Sequence, residues 1–344
     1  MDWRVKATVQ GVLARVPGGE RLNDGLQQLV GGRRNPGAHI DIKFTEDWLV
    51  HMRALRETGH AIAGRDSMEI GTGWLPVFPL CFHLAGARRC HTFDLNRHLR
   101  AKHVRPTLKR LERHLPAIAE ASGEPETAVR DRWLRLMAVQ RDDEVLDRAG
   151  VVYHAPADAS RTGLPEASIG LVFSNSVLEH VSASVLGALM RETRRILEPD
   201  GVVLHSVNCG DHYAYFDRSI TPIHYLRYSE KQWRWWNNDV LYQNRLRPVD
   251  FLQSAREAGL VLTLDWQNPR PALMAMLDRL PIDAAFRHYA PEQLCCTSVT
   301  FAATPGPTSG PDVGSSGAEP LQVVGGAEPP AGLAGGREAV AGKT

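Results

Sequence analysis

The sequence predicts an α/β protein built on an open, doubly wound sheet. Between Ser67 and Ala303, short β-branched runs alternate with helical stretches, as expected for parallel strands joined by crossover helices. The first of these runs ends in the glycine turn "MEIGTG", and folds of this class bind their ligands at the carboxyl ends of the strands. With 344 residues, the chain is long enough for one large domain with extensions.

Seven strands and five helices follow from the hydrophobic patterns and turn signals. The strands are predicted at residues 67–71, 90–94, 151–154, 169–175, 202–207, 260–266 and 298–303. The helices are predicted at residues 76–86, 95–120, 124–138, 182–197 and 248–259. Five strands therefore come in βα succession, and two more follow the last helix.

Two segments flank this domain, which we place at residues 61–303. Residues 1–60 are expected to form an N-terminal helical extension, with Thr45 as the N-cap of one helix and Gly59 at its C-terminal cap. Residues 304–344 contain no aromatic side chain and few large apolar ones, so we expect a disordered tail.

Composition excludes several classes of protein. The net charge of +1 lacks the positive excess that favours nucleic-acid binding. No apolar run approaches the roughly 20 residues of a membrane span, and the N-terminal stretch lacks the pattern of a signal peptide. The five cysteines are few and odd in number, which indicates reduced thiols. We therefore expect a cytoplasmic protein with neither a nucleic acid nor a membrane as partner.

The glycine turn differs from a dinucleotide fingerprint. The third glycine is replaced by Pro76, and Glu69 stands at the end of the preceding strand. A carboxylate there repels a pyrophosphate but suits an ammonium or sulfonium group. The turn therefore favours a cationic nucleoside, and an NAD-dependent oxidoreductase is the weaker alternative.

Two aspartates follow the next two strands. Asp94 lies 23 residues after Gly71, the spacing at which an acidic side chain accepts from ribose hydroxyls; the alternative is a cap for a helix beginning near Asn96. Asp158 is placed to accept from an adenine amine, and its alternative role is an Asx turn.

Four segments in order resemble the motifs of class I S-adenosylmethionine-dependent methyltransferases, especially the type 11 group of small-molecule enzymes. They are "MEIGTG", "FDLN", "ADASRTGLPEASIGLVFSNSVLEHV" and "RETRRILEPDGVVLHSV", and they span about residues 66–208. The resemblance implies a seven-stranded Rossmann-like methyltransferase sheet with S-adenosylmethionine as cofactor. Two positions depart from the family: Gly170 replaces a usual aspartate, and Asp200 replaces the first glycine of a turn.

The resemblance also implies roles for matching residues. Glu69 would meet the methionine ammonium, while Gly71 and Gly73 would let the backbone approach the cofactor. Asp94 would hold the ribose, and Asp158 with Ala159 would contact the adenine. Ser174 and Asn175 would lie beside the sulfonium.

Methyl transfer from a sulfonium is an in-line displacement, so a base is needed only when the acceptor must lose a proton. Histidine has the suitable pKa, and the candidate bases are His180, His205 and His212. For His180 a positioning or packing role is the alternative. These histidines match no metal-binding motif, so no metal is expected.

An aromatic-rich insert at residues 219–250 is expected either to cover the acceptor as a lid or to form the packing surface of a small subdomain. It resembles a subset of bacterial type 11 methyltransferases associated with glycan and specialised-metabolite pathways. Its Arg245 and Arg247 could pair with an acidic substrate or with carboxylates inside the fold. The basic stretch 97–114 could attract an anionic substrate or form a solvated helix face.

Together these features predict a methyltransferase acting on a small polar acceptor, with oxygen slightly favoured over nitrogen because of the histidine supply. One alternative is N-methylation of an amino acid or peptide-like metabolite. Another is a non-catalytic scaffold that retains the fold.

Overall fold

A computed structural model describes residues 2–13, 36–238 and 242–307. The predicted disordered tail falls almost wholly outside these residues, as do residues 14–35 of the N-terminal extension.

The described residues form seven strands flanked by helices. The strands are β1 (Asp66–Ile70), β2 (Arg89–Phe93), β3 (Val151–His154), β4 (Ile169–Asn175), β5 (Leu197–Asn208), β6 (Leu260–Pro269) and β7 (Cys296–Pro305). The helices are α1 (Trp3–Leu13), α2 (Pro36–Ile42), α3 (Leu49–Glu57), α4 (Val77–Leu84), α5 (Val104–Leu111), α6 (Leu115–Ser122), α7 (Glu126–Met137), α8 (Asp142–Arg148), α9 (Ala183–Ile196), α10 (Glu230–Trp233), α11 (Pro248–Glu257), α12 (Pro271–Leu277) and α13 (Pro291–Cys295).

The sheet has the order β3-β2-β1-β4-β5-β7-β6. Strands β1 to β5 pair in parallel, whereas β7 is antiparallel to both β5 and β6. The chain reverses its direction of winding between β1 and β4, and this switch point opens a crevice at the carboxyl ends of the strands. The α/β, doubly wound prediction is confirmed.

The central strands are apolar because both of their faces are covered. Every residue of β1 is buried, and so are the first six residues of β4. Such strands show continuous burial instead of alternation, as expected for a parallel sheet between two helical layers. One layer packs around Phe173 and the other around Val172.

Two helix predictions need correction. Thr45 does not cap a helix: α2 continues into α3 through a π-helical stretch, Lys43–Trp48, and the Thr45 hydroxyl donates to the Asp41 carbonyl at 3.0 Å. Gly59 does lie just after the end of α3, in the left-handed region with φ +74°. The single helix predicted at 95–120 is divided into α5 and α6, because Pro116 cannot donate within a continuous helix.

The aromatic insert forms a small subdomain core. Trp233 and Tyr225 are buried together with Trp3 of α1 and Leu273 of α12. Helices α12 and α13, which the patterns did not predict, complete this core. Among the described residues, no helix is long and apolar enough to cross a membrane.

Candidate cofactor and acceptor site

The glycine turn follows β1 and is held in a conformation that favours glycine. Gly71 and Gly73 have φ values of +78° and +70°, in the left-handed region. The Gly71 N–H donates to the Phe93 carbonyl at 2.8 Å, which ties the turn to the end of β2. A Cβ on Gly71 would lie 2.5 Å from Cγ2 of Val177. The turn therefore presents bare backbone at the crevice, as a close ligand approach requires.

Glu69 is buried directly below this turn. Glu69 is only 4% exposed. This burial raises the pKa of Glu69 to about 7, although the positive charge of Lys43 acts to lower it. Lys43 lies in the π-helical stretch after α2. The carboxyl group is thus poised to ionise when a cationic ligand group arrives.

Asp94 makes a contact that the sequence did not predict. Its carboxylate accepts from the Gly73 N–H, with Oδ2 at 3.2 Å, and from the Tyr153 hydroxyl at 2.9 Å. The same hydroxyl accepts from the N–H of His98 at 3.0 Å. Asp94 therefore joins the ends of β1, β2 and β3. In the described range 36–238 the chain is not helical at Asn96, so Asp94 does not cap a helix there. Its position supports the expected ribose contact, which stays a prediction.

Asp158 adopts the alternative geometry foreseen for it. Oδ1 accepts from the Ser160 N–H at 2.8 Å, which is an Asx turn. The residue is exposed and follows β3. The Asx turn uses Oδ1 of the carboxylate and not Oδ2. The expected contact of Asp158 with the adenine therefore stays a prediction.

His205 is not a suitable base, and this expectation needs correction. Its imidazole is completely buried, with Nδ1 lying 2.8 Å from Oγ of Ser174, which is equally buried. Burial lowers the pKa of His205 to about 3. The pair braces β4 against β5 within the sheet, while the neighbouring Asn175 reaches the cleft. His205 is therefore removed from the candidate bases.

A cleft opens beside Asn175 at the carboxyl ends of β4 and β5 and the amino end of β7. Its polar lining comes from Glu46, Asp47, Asn175, Ser176, Ser206, Asn208, Asp211, Tyr215, Arg270, Thr297, Ser298 and Thr300. Three of these residues carry carboxylates and one carries a guanidinium. The N-terminal extension thus contributes two acids to the cleft wall, which was not foreseen from the sequence.

Asp211 is the most buried of these acids, at 1% exposure. Oδ1 accepts from the Tyr213 N–H at 2.9 Å, and Oδ2 lies 3.6 Å from Nδ1 of His224. Burial raises the pKa of the Asp211 carboxyl group, and the nearby imidazole of His224 opposes this rise. Asp211 and His224 therefore form a buried acid–imidazole pair at the cleft.

The other two predicted bases, His180 and His212, lie together. Their ring centroids are 5.2 Å apart, and the ring of His212 lies 5.6 Å from that of Tyr215, which lines the cleft. The two histidines come from the turns after β4 and β5, and they form a group that reaches the cleft lining through the contact of His212 with Tyr215.

The insert arginines act inside the fold. Arg245 pairs with Glu230 at 2.8 Å. Arg247 is completely buried and donates to the carbonyl of Cys209 at 2.8 Å. The expected pairing with a carboxylate inside the fold is observed for Arg245, whereas the Arg247 side chain donates to backbone carbonyls and to the Tyr225 hydroxyl.

Part of the basic stretch also has a structural partner. Arg110 and His114 both contact the carboxylate of Asp41 in α2, with His114 Nε2 at 2.9 Å from Oδ1. These contacts dock the N-terminal extension beside the crevice.

Comparisons with known proteins found one family model that matches part of this chain and several solved structures of low similarity. Residues 119–205 match the family model described as "Methyltransferase domain". A solved S-adenosylmethionine-dependent methyltransferase from Mesorhizobium loti is 15% identical, with 74% of this chain and 97% of that chain covered and a TM-score of 0.39. The geranyl diphosphate C-methyltransferase from Streptomyces coelicolor A3(2) is 14% identical, with 74% and 79% covered and a TM-score of 0.40. No curated protein matches the chain.

The family match runs from within α6 to β5 and includes β3 and β4, whereas the glycine turn lies before it. Strands β1 and β2 and the glycine turn at the switch point of the sheet therefore lie outside the residues that match the family model. The match to a methyltransferase domain is limited to residues 119–205, and S-adenosylmethionine as the cofactor stays what the sequence resemblance implies.

Proposed function

We propose that this enzyme transfers a methyl group to an amine of a small polar molecule bound in the acidic cleft. The observation that carries the proposal is the charge of the lining, where Glu46, Asp47 and Asp211 face a single cation, Arg270. A cleft with this excess of carboxylates attracts an ammonium group and disfavours an anionic acceptor.

Asp211 has the position and environment of a group that handles the acceptor's proton. A protonated amine must lose its proton before it can attack the methyl group. Burial raises the pKa of Asp211, which makes the carboxylate a better proton acceptor, and His224 at 3.6 Å is available to stabilise the charge. The in-line geometry itself requires only that the cleft hold the amine near the sulfonium.

The structure weakens the reason for preferring oxygen. That preference rested on the number of histidines near the site, and His205 lies inside the sheet. A hydroxyl acceptor is the second candidate, because His180 and His212 lie together and His212 contacts Tyr215, which lines the cleft. A glycan or specialised-metabolite pathway stays a prediction from the resemblance of the insert.

The test uses matched acceptors that differ only in the reacting atom. Purified enzyme is incubated with methyl-labelled S-adenosylmethionine and paired libraries of small amines and the corresponding alcohols. We expect label in the amines, and Asp211→Asn should lower kcat/KM by about a hundredfold, the usual contribution of a general base. Transfer only to alcohols, or to anionic acceptors in preference to amines, would overturn the proposal.

A control separates this effect from a general loss of charge. Asp143 lies on the surface in α8, away from the cleft. Asp143→Asn should leave kcat/KM unchanged. Asp211→Asn preserves an oxygen for the Tyr213 N–H, so the fold should survive; binding of S-adenosylhomocysteine verifies this.

A further inference from the structure

Glu179, His180 and His212 form a cluster beside the acceptor cleft. Each offers one potential ligand atom, and these atoms all lie within 4.8 Å of one another. Glu179 is 1% exposed, His212 is half-buried and His180 is exposed. The cluster therefore has a buried floor and an open side, as a site that exchanges ligands requires.

The proton on His180 is assigned by its hydrogen bond. Nδ1 lies 2.6 Å from the carbonyl oxygen of Tyr242. Because a carbonyl only accepts, Nδ1 carries the hydrogen and Nε2 presents a lone pair. Metal-binding histidines are oriented in this way by a hydrogen bond on the other ring nitrogen.

The next residue, Gln243, holds the His212 arm. Its side-chain oxygen accepts from the N–H of His212 at 3.1 Å, and its amide nitrogen donates to the carbonyl of Gly210 at 2.6 Å. Gln243 is itself 3% exposed. The loop after β5 is thus fixed at the point where it presents His212.

Asn244 holds the other arm in the same manner. Its N–H donates to the carbonyl of Glu179 at 2.7 Å, and its amide nitrogen donates to the carbonyls of Leu178 and Val181, both at 2.8 Å. Three consecutive residues of the insert, Tyr242 to Asn244, therefore hold all three members of the cluster in place.

We propose that Glu179, His180 and His212 bind one divalent transition-metal ion of the Zn²⁺ type. Two imidazoles and one carboxylate are a donor set that suits Zn²⁺ and its neighbours, and three protein ligands leave a further coordination position open. Glu179 and His180 are adjacent in sequence, but His212 follows 32 residues later, so no linear motif reveals the site.

The open position would face the acceptor cleft. His212 contacts the ring of Tyr215, which lines the cleft, and its chain neighbour Asp211 lines it as well. A nitrogen or oxygen of the acceptor bound to the ion would have a lowered pKa. This role rests on the proposed function, whereas metal binding by itself does not.

The experiment titrates Co²⁺, a spectroscopic substitute for Zn²⁺, into the full-length protein after dialysis against a chelator. We expect one Co²⁺ per chain, visible ligand-field bands, and displacement by Zn²⁺. His212→Gln and His180→Gln should each weaken Co²⁺ binding by at least about tenfold. His288→Gln, which alters an exposed histidine outside the cluster, should bind Co²⁺ as the wild type does.

Binding of S-adenosylhomocysteine is measured on every variant as a check of folding. If His212→Gln does not fold, His180→Gln decides the matter, because His180 is exposed. Absence of stoichiometric Co²⁺ binding, or unchanged affinity in a folded cluster variant, would overturn the metal site. An enzyme that methylates amines without binding metal would refute this inference alone; one that binds metal but methylates no amine would refute only the proposed function.

Discussion

Gly71 and Val177 are packed so closely that a Cβ on Gly71 would lie 2.5 Å from Cγ2 of Val177. The contact joins the turn after β1 to the segment after β4, across the switch point of the sheet. The same turn contains Gly73, which also has a positive φ, but a Cβ on Gly73 would meet no heavy atom within 4 Å.

Gly71→Ala and Gly73→Ala should consequently differ. Both place alanine in the left-handed region, at a cost of about 1–2 kcal/mol, but only Gly71→Ala adds an overlap, which costs about 1–3 kcal/mol more. Denaturant unfolding of the two variants measures the difference. Equal losses of stability would show that the Val177 contact is relieved at little cost.

Tyr153→Phe should weaken both stability and cofactor binding. The hydroxyl donates to Asp94 and accepts from the N–H groups of His98 and Leu99, so its removal should cost about 1–3 kcal/mol. Calorimetry should show weaker binding of S-adenosylhomocysteine, because Asp94 loses the group that orients it.

Tyr289→Phe is the matched control, since its hydroxyl also donates to a carboxylate, that of Asp250, at 2.8 Å. It should lower stability without changing the affinity for S-adenosylhomocysteine. If Tyr153→Phe bound this ligand like the wild type, Asp94 would not depend on Tyr153 for its orientation.

Cofactor affinity should depend on pH through Glu69. Burial raises the pKa of Glu69 to about 7, and the methionine ammonium would bind the ionised form. The affinity for S-adenosylhomocysteine should therefore fall as the pH is lowered from about 8 to about 6, across this pKa. In Glu69→Gln the affinity should be lower and this dependence reduced; an equally steep profile in the variant would assign it to another group.

The same shift affects stability with a defined sign. The folded-state pKa of about 7 exceeds the ordinary value of 4.5, so the folded protein binds more protons than the unfolded chain between these values. Without cofactor, the Glu69 contribution is fully present below pH 4.5 and is lost as the pH rises through about 7. Unfolding of wild type and Glu69→Gln over this range tests the sign.

His205→Asn should affect stability more than catalysis. The imidazole is buried against Ser174, and loss of a true general base would cost about 100-fold or more. We expect kcat to change by less than about tenfold, with a lower melting temperature. A hundredfold loss of kcat in a folded variant would restore His205 as a candidate base.

The pKa of His205, lowered to about 3 from 6.5, also predicts acid sensitivity. The unfolded chain binds the proton first, so the contribution of neutral His205 is present above pH 6.5 and is lost as the pH falls towards 3. His205→Asn should lose less stability than the wild type over this interval, as acid unfolding would measure.

The succession of β1 to β5 along the chain and the position of the glycine turn could be predicted because their signals are local. Continuous apolar runs and glycines at strand ends act over a few residues, and β3 and β4 occur at their predicted bounds. Thr45 was misjudged for the same reason: its residue type favours a cap, but the packing of Phe44 and Trp48 in the core continues the helix through it.

The candidate site divides in a similar way. Glu69, Gly71, Gly73 and Asp94 could be proposed as cofactor-site residues because each lies at or just after the carboxyl end of a predicted strand, and their roles stay predictions. Tyr153 was missed, since only the pairing of β2 with β3 brings its hydroxyl to Asp94. His205 was suggested as a base because it lies towards the carboxyl end of β5. The burial of its imidazole depends on the neighbouring residues that cover it in the folded sheet.

By itself, the sequence determined an α/β, doubly wound sheet with a glycine turn after its first strand, because these properties follow from local patterns and residue types. Only the tertiary structure decided which charges share the acceptor cleft. It brought Glu46, Asp211 and Arg270 together from three distant segments and placed His212 beside Glu179 and His180. Such groupings depend on how strands and helices pack, since electrostatic and ligand interactions act through distances in space and not along the chain.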